Sequence, residues 1–134
     1  MPESAAAIVR RMFERHEQGG VDAVLDLLAP DAAFVVGPET SAEPDVYEGH
    51  DGARRYFAGF EGALDDVRFE LVEILESTAD RVLASVRLSG YGSATRIHVE
   101  QAVLMTVTVR AGAVTRIVTH ASLESAQREI AGGS

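Results

Sequence analysis

The sequence predicts an α+β protein: a curved antiparallel sheet wrapped around N-terminal helices, making a half-cone with an internal pocket. Three observations carry this. Apolar residues recur at helical spacing in the first half of the chain. Long stretches alternating apolar and polar fill the second half. Helices first and a meander of strands afterwards is the order of an α+β arrangement. The 134 residues fit one domain over 1–134, and such a chain can bury roughly 65–70% of the surface its unfolded form exposes.

Ser4 is placed to cap a first helix whose apolar side is Ile8, Val9, Met12 and Phe13, with His16 next in the series. Gly19-Gly20 ends it. Val21, Val24, Leu25 and Leu28 predict a second, short helix that "APD" at Ala29–Asp31 stops. Ala32–Val36 reads as a strand, the Gly/Pro-rich segment after it as a loop, and Val46-Tyr47 as a short strand pairing back. "VYEGHDGARRYF" sets His50 beside Asp51 and raises the question of an acid–base pair. The spacing of Ala53, Tyr56, Phe57, Phe60 and Leu64 makes it the start of a third helix instead. A carboxylate in that first turn meets unpaired backbone N–H groups.

"VRFELVEILES" puts Val67, Phe69 and Leu71 on one face and then shifts phase to Val72 and Ile74, which predicts a bulge or strong twist. "DRVLASVRLSG" points Val82, Ala84, Val86 and Leu88 inward. The longest strand sets Val99, Val103, Met105, Val107 and Val109 on one face and His98, Glu100, Thr106 and Thr108 on the other. With Ala111-Gly112 as a two-residue turn, Arg110 pairs Ala113, Met105 pairs Val118, Val103 pairs His120 and Gln101 pairs Ser122. That register brings His120, Gln101 and Ser122 onto the apolar inner face, whereas a slip of one residue sends His120 outward. A closing helical segment carries Leu123, Ala126, Gln127 and Ile130, with Ser122 also placed to cap it.

Composition narrows the chemistry. The net charge is −9, and the twelve basic residues are all arginine and scattered, which disfavours nucleic acid and anionic membrane as partners. The chain has no lysine and no cysteine, so Schiff bases, thiol nucleophiles, disulfides and thiolate metal sites are excluded. No apolar run approaches the roughly 20 residues of a bilayer span, and the beginning "MPESAAAIVRRMF" has no apolar signal core. A cytoplasmic location is the expectation.

"GGVDAVLDLLAPDAAFV", "YEGHDGARRYF" and "VTVRAGAVTRI", in this order, resemble the SnoaL-like group of the nuclear-transport-factor-2-like superfamily. The resemblance implies a cystatin-like, cone-shaped fold with a hydrophobic pocket, usually a homodimer packed through the outer sheet face. Its members include ketosteroid isomerases, polyketide cyclases, epoxide hydrolases and non-catalytic proteins, so fold alone does not decide function. The residues those enzymes use do not carry over. The isomerase base falls near Gly37 and its oxyanion pair near Met12 and Met105. The hydrolase Arg-x-Asp strand reads "LMTVTV", and the cyclase carboxylate falls near Ser122.

His120 is the candidate acid or base, since an unperturbed pKa of ~6.5 suits proton transfer at neutral pH; the alternative is a buried histidine hydrogen-bonded to a backbone carbonyl. The expected pocket is lined by Phe13, Phe34, Tyr56, Phe60, Gln101, Val103, Met105, Val118 and Ser122. His98 and Glu100 share one face, but the predicted register puts His120 on the other, so unless a bulge intervenes no metal site is expected, and no cofactor is required. Two functions follow. One is cofactor-free proton transfer, of isomerase or cyclase type, on a small apolar molecule. The other is a non-catalytic ligand-binding or dimerisation module with the same cavity.

Overall fold

The computed structural model describes residues 4–36, 45–62, 64–120 and 122–131, with all of their side chains except those of residues 45, 60 and 61. The first helix, α1, spans Ala5–Gly19. Ser4 has extended backbone and its Oγ accepts from the Ala7 N–H at 3.1 Å, satisfying one of the unpaired donors of the first turn. Gly20 ends the helix at φ 73°, a left-handed conformation that a side chain would strain, while its N–H donates to the His16 carbonyl at 2.8 Å. The expected second helix is instead two 3-10 turns, Val21–Ala23 and Leu25–Leu27. Too few residues stand between Gly20 and Pro30 to repay helix nucleation, and Pro30 would clash with a helical carbonyl before it. The chain turns extended early, so strand β1 covers Leu28–Val36.

Strand β2, Asp45–Glu48, pairs antiparallel with β1 through Phe34 opposite Tyr47. Helix α2, Gly49–Glu61, follows at once. Asp51 stands in its first turn and accepts from Arg54 at 3.2 Å; His50 Nε2 donates to the Leu28 carbonyl at 3.2 Å. Both polar residues anchor a helix start, as the spacing predicts. Gly52 is needed there because a Cβ would meet the Tyr47 carbonyl carbon at 2.7 Å.

Strands β3 (Leu64–Ser77), β4 (Arg81–Gly92), β5 (His98–Arg110) and β6 (Ala113–His120) complete one six-stranded sheet of order β2-β1-β6-β5-β4-β3, and helix α3 (Leu123–Ile130) closes the described chain. The register of β3 shifts between Leu71 and Glu73, so Val72 is the bulge the phase change predicts.

Two features of the expected half-cone are corrected. The sheet is not strongly curled, and it is not purely antiparallel, since β1 runs parallel to β6. Helices also cover both faces. α1 and α2 lie on one, where Phe34, Phe69, Val82, Ala84, Val86, Met105, Val107 and Ile117 join Ile8, Val9, Met12 and Ala53 in the main core. α3 lies on the other, where Ala126 and Ile130 pack with Leu83 and Leu104. Val82 and Leu83 are adjacent and both fully buried, which requires cover on both sides of β4. The result is helix, sheet and helix in three layers, rather than a sheet wrapped around its N-terminal helices.

The β5–β6 hairpin turns as predicted, with Ala111 and Gly112 at φ 53° and 79°, the signs a type I′ turn demands. Arg110 pairs Ala113 and Val109 pairs Val114. Thr115 is then an extra residue, so Thr108 pairs Arg116, Met105 pairs Thr119 and Leu104 pairs His120. One bulge reverses the facing of the rest of β6.

Candidate functional site

Between the inner face and the two N-terminal helices lies an apolar hollow of about 30 Å³. α1 supplies Met12, Phe13 and His16, α2 supplies Tyr56 and Phe57, and the sheet supplies Phe34, Phe69, Met105 and Ile117. At roughly 10–15 Å³ per water, two or three waters would fill it, against some 300 Å³ or more for an ordinary ligand site. The expected partly empty interior is therefore corrected as well: aromatic rings occupy it. Phe34 contacts Tyr56 at 5.1 Å, Tyr56 contacts Phe57 at 5.2 Å, and Phe57 contacts Phe69 at 5.4 Å between centroids. His16 ends the series, 4.7 Å from Phe57 and 5.3 Å from Phe69. Most of these pairs meet edge to face, the orientation the ring quadrupoles favour.

Two open clefts adjoin the hollow. One of about 280 Å³ runs between α1 and β3, bounded by Arg10, Phe13, Glu14, Glu17 and residues 69–74. The other, about 730 Å³, lies at the β3 edge between the end of α1 and the near ends of β4 and β5; Glu17, Arg68, Glu70, Arg87, Tyr91, His98 and Glu100 line it. Phe69 borders all three spaces, and His16 borders both the hollow and the larger cleft. A single layer of side chains separates inside from outside.

Tyr56 is 6% exposed. Burial, and secondarily the neighbouring Tyr47, push its phenol well above the ordinary tyrosine range, so its hydroxyl keeps its proton at neutral pH and cannot serve there as a base.

Of the residues expected in the pocket, Phe13, Phe34, Tyr56 and Met105 meet at the hollow. Val103 packs beside the same core, and Gln101 is exposed. The side chain of Phe60 lies outside the described residues, as does Gly37. Val118, His120 and Ser122 belong to the α3 side. Ser122 Oγ accepts from the Ser125 N–H at 3.2 Å and caps α3. His120, 7% exposed, has Nε2 2.9 Å from Thr106 Oγ1 and Nδ1 2.9 Å from Ser125 Oγ. It is a buried histidine satisfied by hydroxyl partners on the face opposite the hollow, put there by the Thr115 bulge.

The bulge also returns His120 to the face of His98 and Glu100, contrary to the predicted register. No metal centre follows: His98 pairs Tyr91 while His120 pairs Leu104, six residues along β5 and so about 20 Å apart at ~3.3 Å per residue. Among the described residues no group of three or more His, Asp or Glu side chains is arranged to hold an ion, and no helix is long and apolar enough to cross a membrane. Met12, His16, Val24, Leu28, Phe57, Phe69 and Ile117 line the hollow but are missing from the pocket list drawn from the sequence. The signal for His16 was its place one turn beyond Met12 and Phe13 on an apolar stripe.

Solved structures show the same fold at low identity. A hypothetical protein of ketosteroid isomerase-like fold from Catenulispora acidiphila, in complex with trimethylamine, is 15% identical with a TM-score of 0.72, covering 92% of this chain and 91% of its own. TerC, co-crystallised with polyporic acid, is 18% identical with a TM-score of 0.74, covering 95% and 98%. A putative polyketide cyclase from Xanthomonas campestris pv. campestris is 20% identical with a TM-score of 0.69, covering 90% and 92%. No curated protein matches the chain. The model of the SnoaL-like domain matches residues 9–117, most of the chain. This protein belongs to the SnoaL-like domain family.

Proposed function

We propose that this protein binds a small, mostly apolar molecule between α1, α2 and the inner sheet face, and that the ligand makes its own room there. The observation that carries this is the shared wall. The hollow and both clefts meet at Phe69, so displacing one or two rings joins about 30 Å³ of interior to cavities of about 280 and 730 Å³. Met12 and Met105 line the hollow, and methionine repacks around a guest more readily than branched side chains do. The complexes of similarly folded proteins with trimethylamine and polyporic acid support a small-molecule role.

Binding is favoured over cofactor-free isomerase or cyclase chemistry. Among the described residues the only polar side chains on the hollow are Tyr56, a proton donor, and His16, with no carboxylate beside them; His120 faces the other way. A screen of steroid, terpenoid and polyketide fragments by thermal shift tests the reading. A fragment that stabilises the wild type keeps its effect in His120→Ala and loses it in Met105→Trp, which fills the hollow. The reverse pattern would overturn the assignment.

We infer too that two copies pair through the outer face. α3 occupies part of it, leaving a stretch that carries Ser85 and Ala102. Sedimentation of a monomer at micromolar concentration would remove that inference.

A further inference from the structure

We propose that His16 is the gate of the hollow, and that the ligand enters from the β3-edge cleft, apolar body first, leaving an uncharged polar end beside His16. This rests on the small-molecule-binding reading and adds a route, a residue and a ligand class to it.

Among the described residues His16 is the one polar side chain that borders both spaces. Its half-buried imidazole closes the passage by packing on Phe57 at 34° and against Phe69 at 90°. Its backbone is held at the end of α1, where the His16 carbonyl accepts from Gly20, so the ring can swing toward the cleft without moving the helix. Phe69, the other wall, is 5% exposed and pinned by Phe57 and His16, and it yields only once His16 has moved.

The lining sorts the ligand. Inside, apart from Tyr56 and His16, every contact is apolar, which suits a flat hydrocarbon body. Outside, Arg68 is already paired with Glu17 at 3.6 Å and Arg87 with Glu70 at 2.7 Å. Both arginines described in the cleft already face a carboxylate, and Asp66 and Glu100 on the same walls repel an anion. A hydroxyl or carbonyl is the end group this rim accepts, with the imidazole as its hydrogen-bond partner.

The probe is 2-naphthol, followed by stopped-flow fluorescence, with its anionic sulfonate as the comparison. His16→Ala should raise the association rate about tenfold, since opening no longer breaks two ring contacts. His16→Trp, which keeps a ring in place, should slow association below the wild type, and circular dichroism confirms that both variants are folded. Met105→Trp should abolish binding. Equal association rates in wild type, His16→Ala and His16→Trp, with binding still lost in Met105→Trp, would overturn the gate and leave the binding reading intact. Tighter binding of the sulfonate would overturn the uncharged end group. No binding of 2-naphthol to the wild type or to His16→Ala would overturn the binding reading, and the gate with it.

Discussion

The two faces of the sheet are both roofed by helix, yet they are held together by different means. Under α1 and α2 the contact is mostly apolar, with Tyr56 and His16 as its polar members, and aromatic rings fill it. Under α3 the apolar contribution is small: Ala126 and Ile130 on Leu83 and Leu104. Polar bonds do the rest. His120 joins Thr106 on the sheet to Ser125 on α3, Arg81 donates to the Glu129 carbonyl at 2.9 Å, and Arg116 donates to the Glu129 side chain at 3.1 Å. An eight-residue helix presents too little apolar surface to dock by burial alone, at roughly 25 cal/mol per Å². Directional bonds set its position. A histidine in such a network is explained by docking, and the comparison teaches that a buried, well-partnered imidazole need not mark an active site.

The sharpest way to break the contrast is Ile117→Arg. Ile117 is 5% exposed and lines the hollow on the inner face, so the substitution puts a guanidinium into the apolar layer. An unpaired guanidinium cannot be held there, and the change should destabilise by more than about 4 kcal/mol, the range of the most severe single changes. Urea denaturation measures it, and a fold that tolerates it would mean the two faces are interchangeable.

A smaller effect is expected from Thr106→Val, which leaves His120 Nε2 without its hydroxyl. The loss should be about 1–3 kcal/mol, the cost of an unsatisfied buried polar group. Ligand association should not change, because the site is on the other side. A matching loss of 2-naphthol binding would tie the two faces together functionally.

Tyr56 gives the third, mildest test, from the inner face. Burial favours its neutral phenol, so the native state keeps the proton where the unfolded chain releases it. Stability is therefore untouched below the unfolded value of about 10 and falls above it, by about 1.4 kcal/mol per pH unit. Urea midpoints at about pH 8 and about pH 11 should diverge in the wild type and converge in Tyr56→Phe. Equal divergence in both proteins would assign the alkaline loss to another group.

Much of this was legible in the residues. The Ser4 cap, the break at Gly19-Gly20, the helix start at "HDGARRYF", the bulge at Val72 and the Ala111-Gly112 turn are local chemistry, and each stands where the spacing put it. Phe13, Phe34, Tyr56 and Met105 were legible as inward-facing for the same reason. The site as a whole was not. Thr115 has nothing in its side chain to distinguish a bulged residue from a paired one, and by reversing β6 it decided where His120 points. Leu83 beside Val82 hinted at burial on both faces, but only the docking of α3 shows what covers the second.

What the sequence determined by itself, then, was the helices, the strands, their caps and turns, and the chemistry the chain lacks, because these depend on residues within a few positions of one another. The tertiary structure alone decided that β1 lies parallel to β6, that the sheet is layered rather than strongly curled, that rings fill the interior, and that His16 rather than His120 borders it. Those outcomes depend on strand register and on competition among distant side chains for one volume, in which a single inserted residue outweighs every local preference downstream of it.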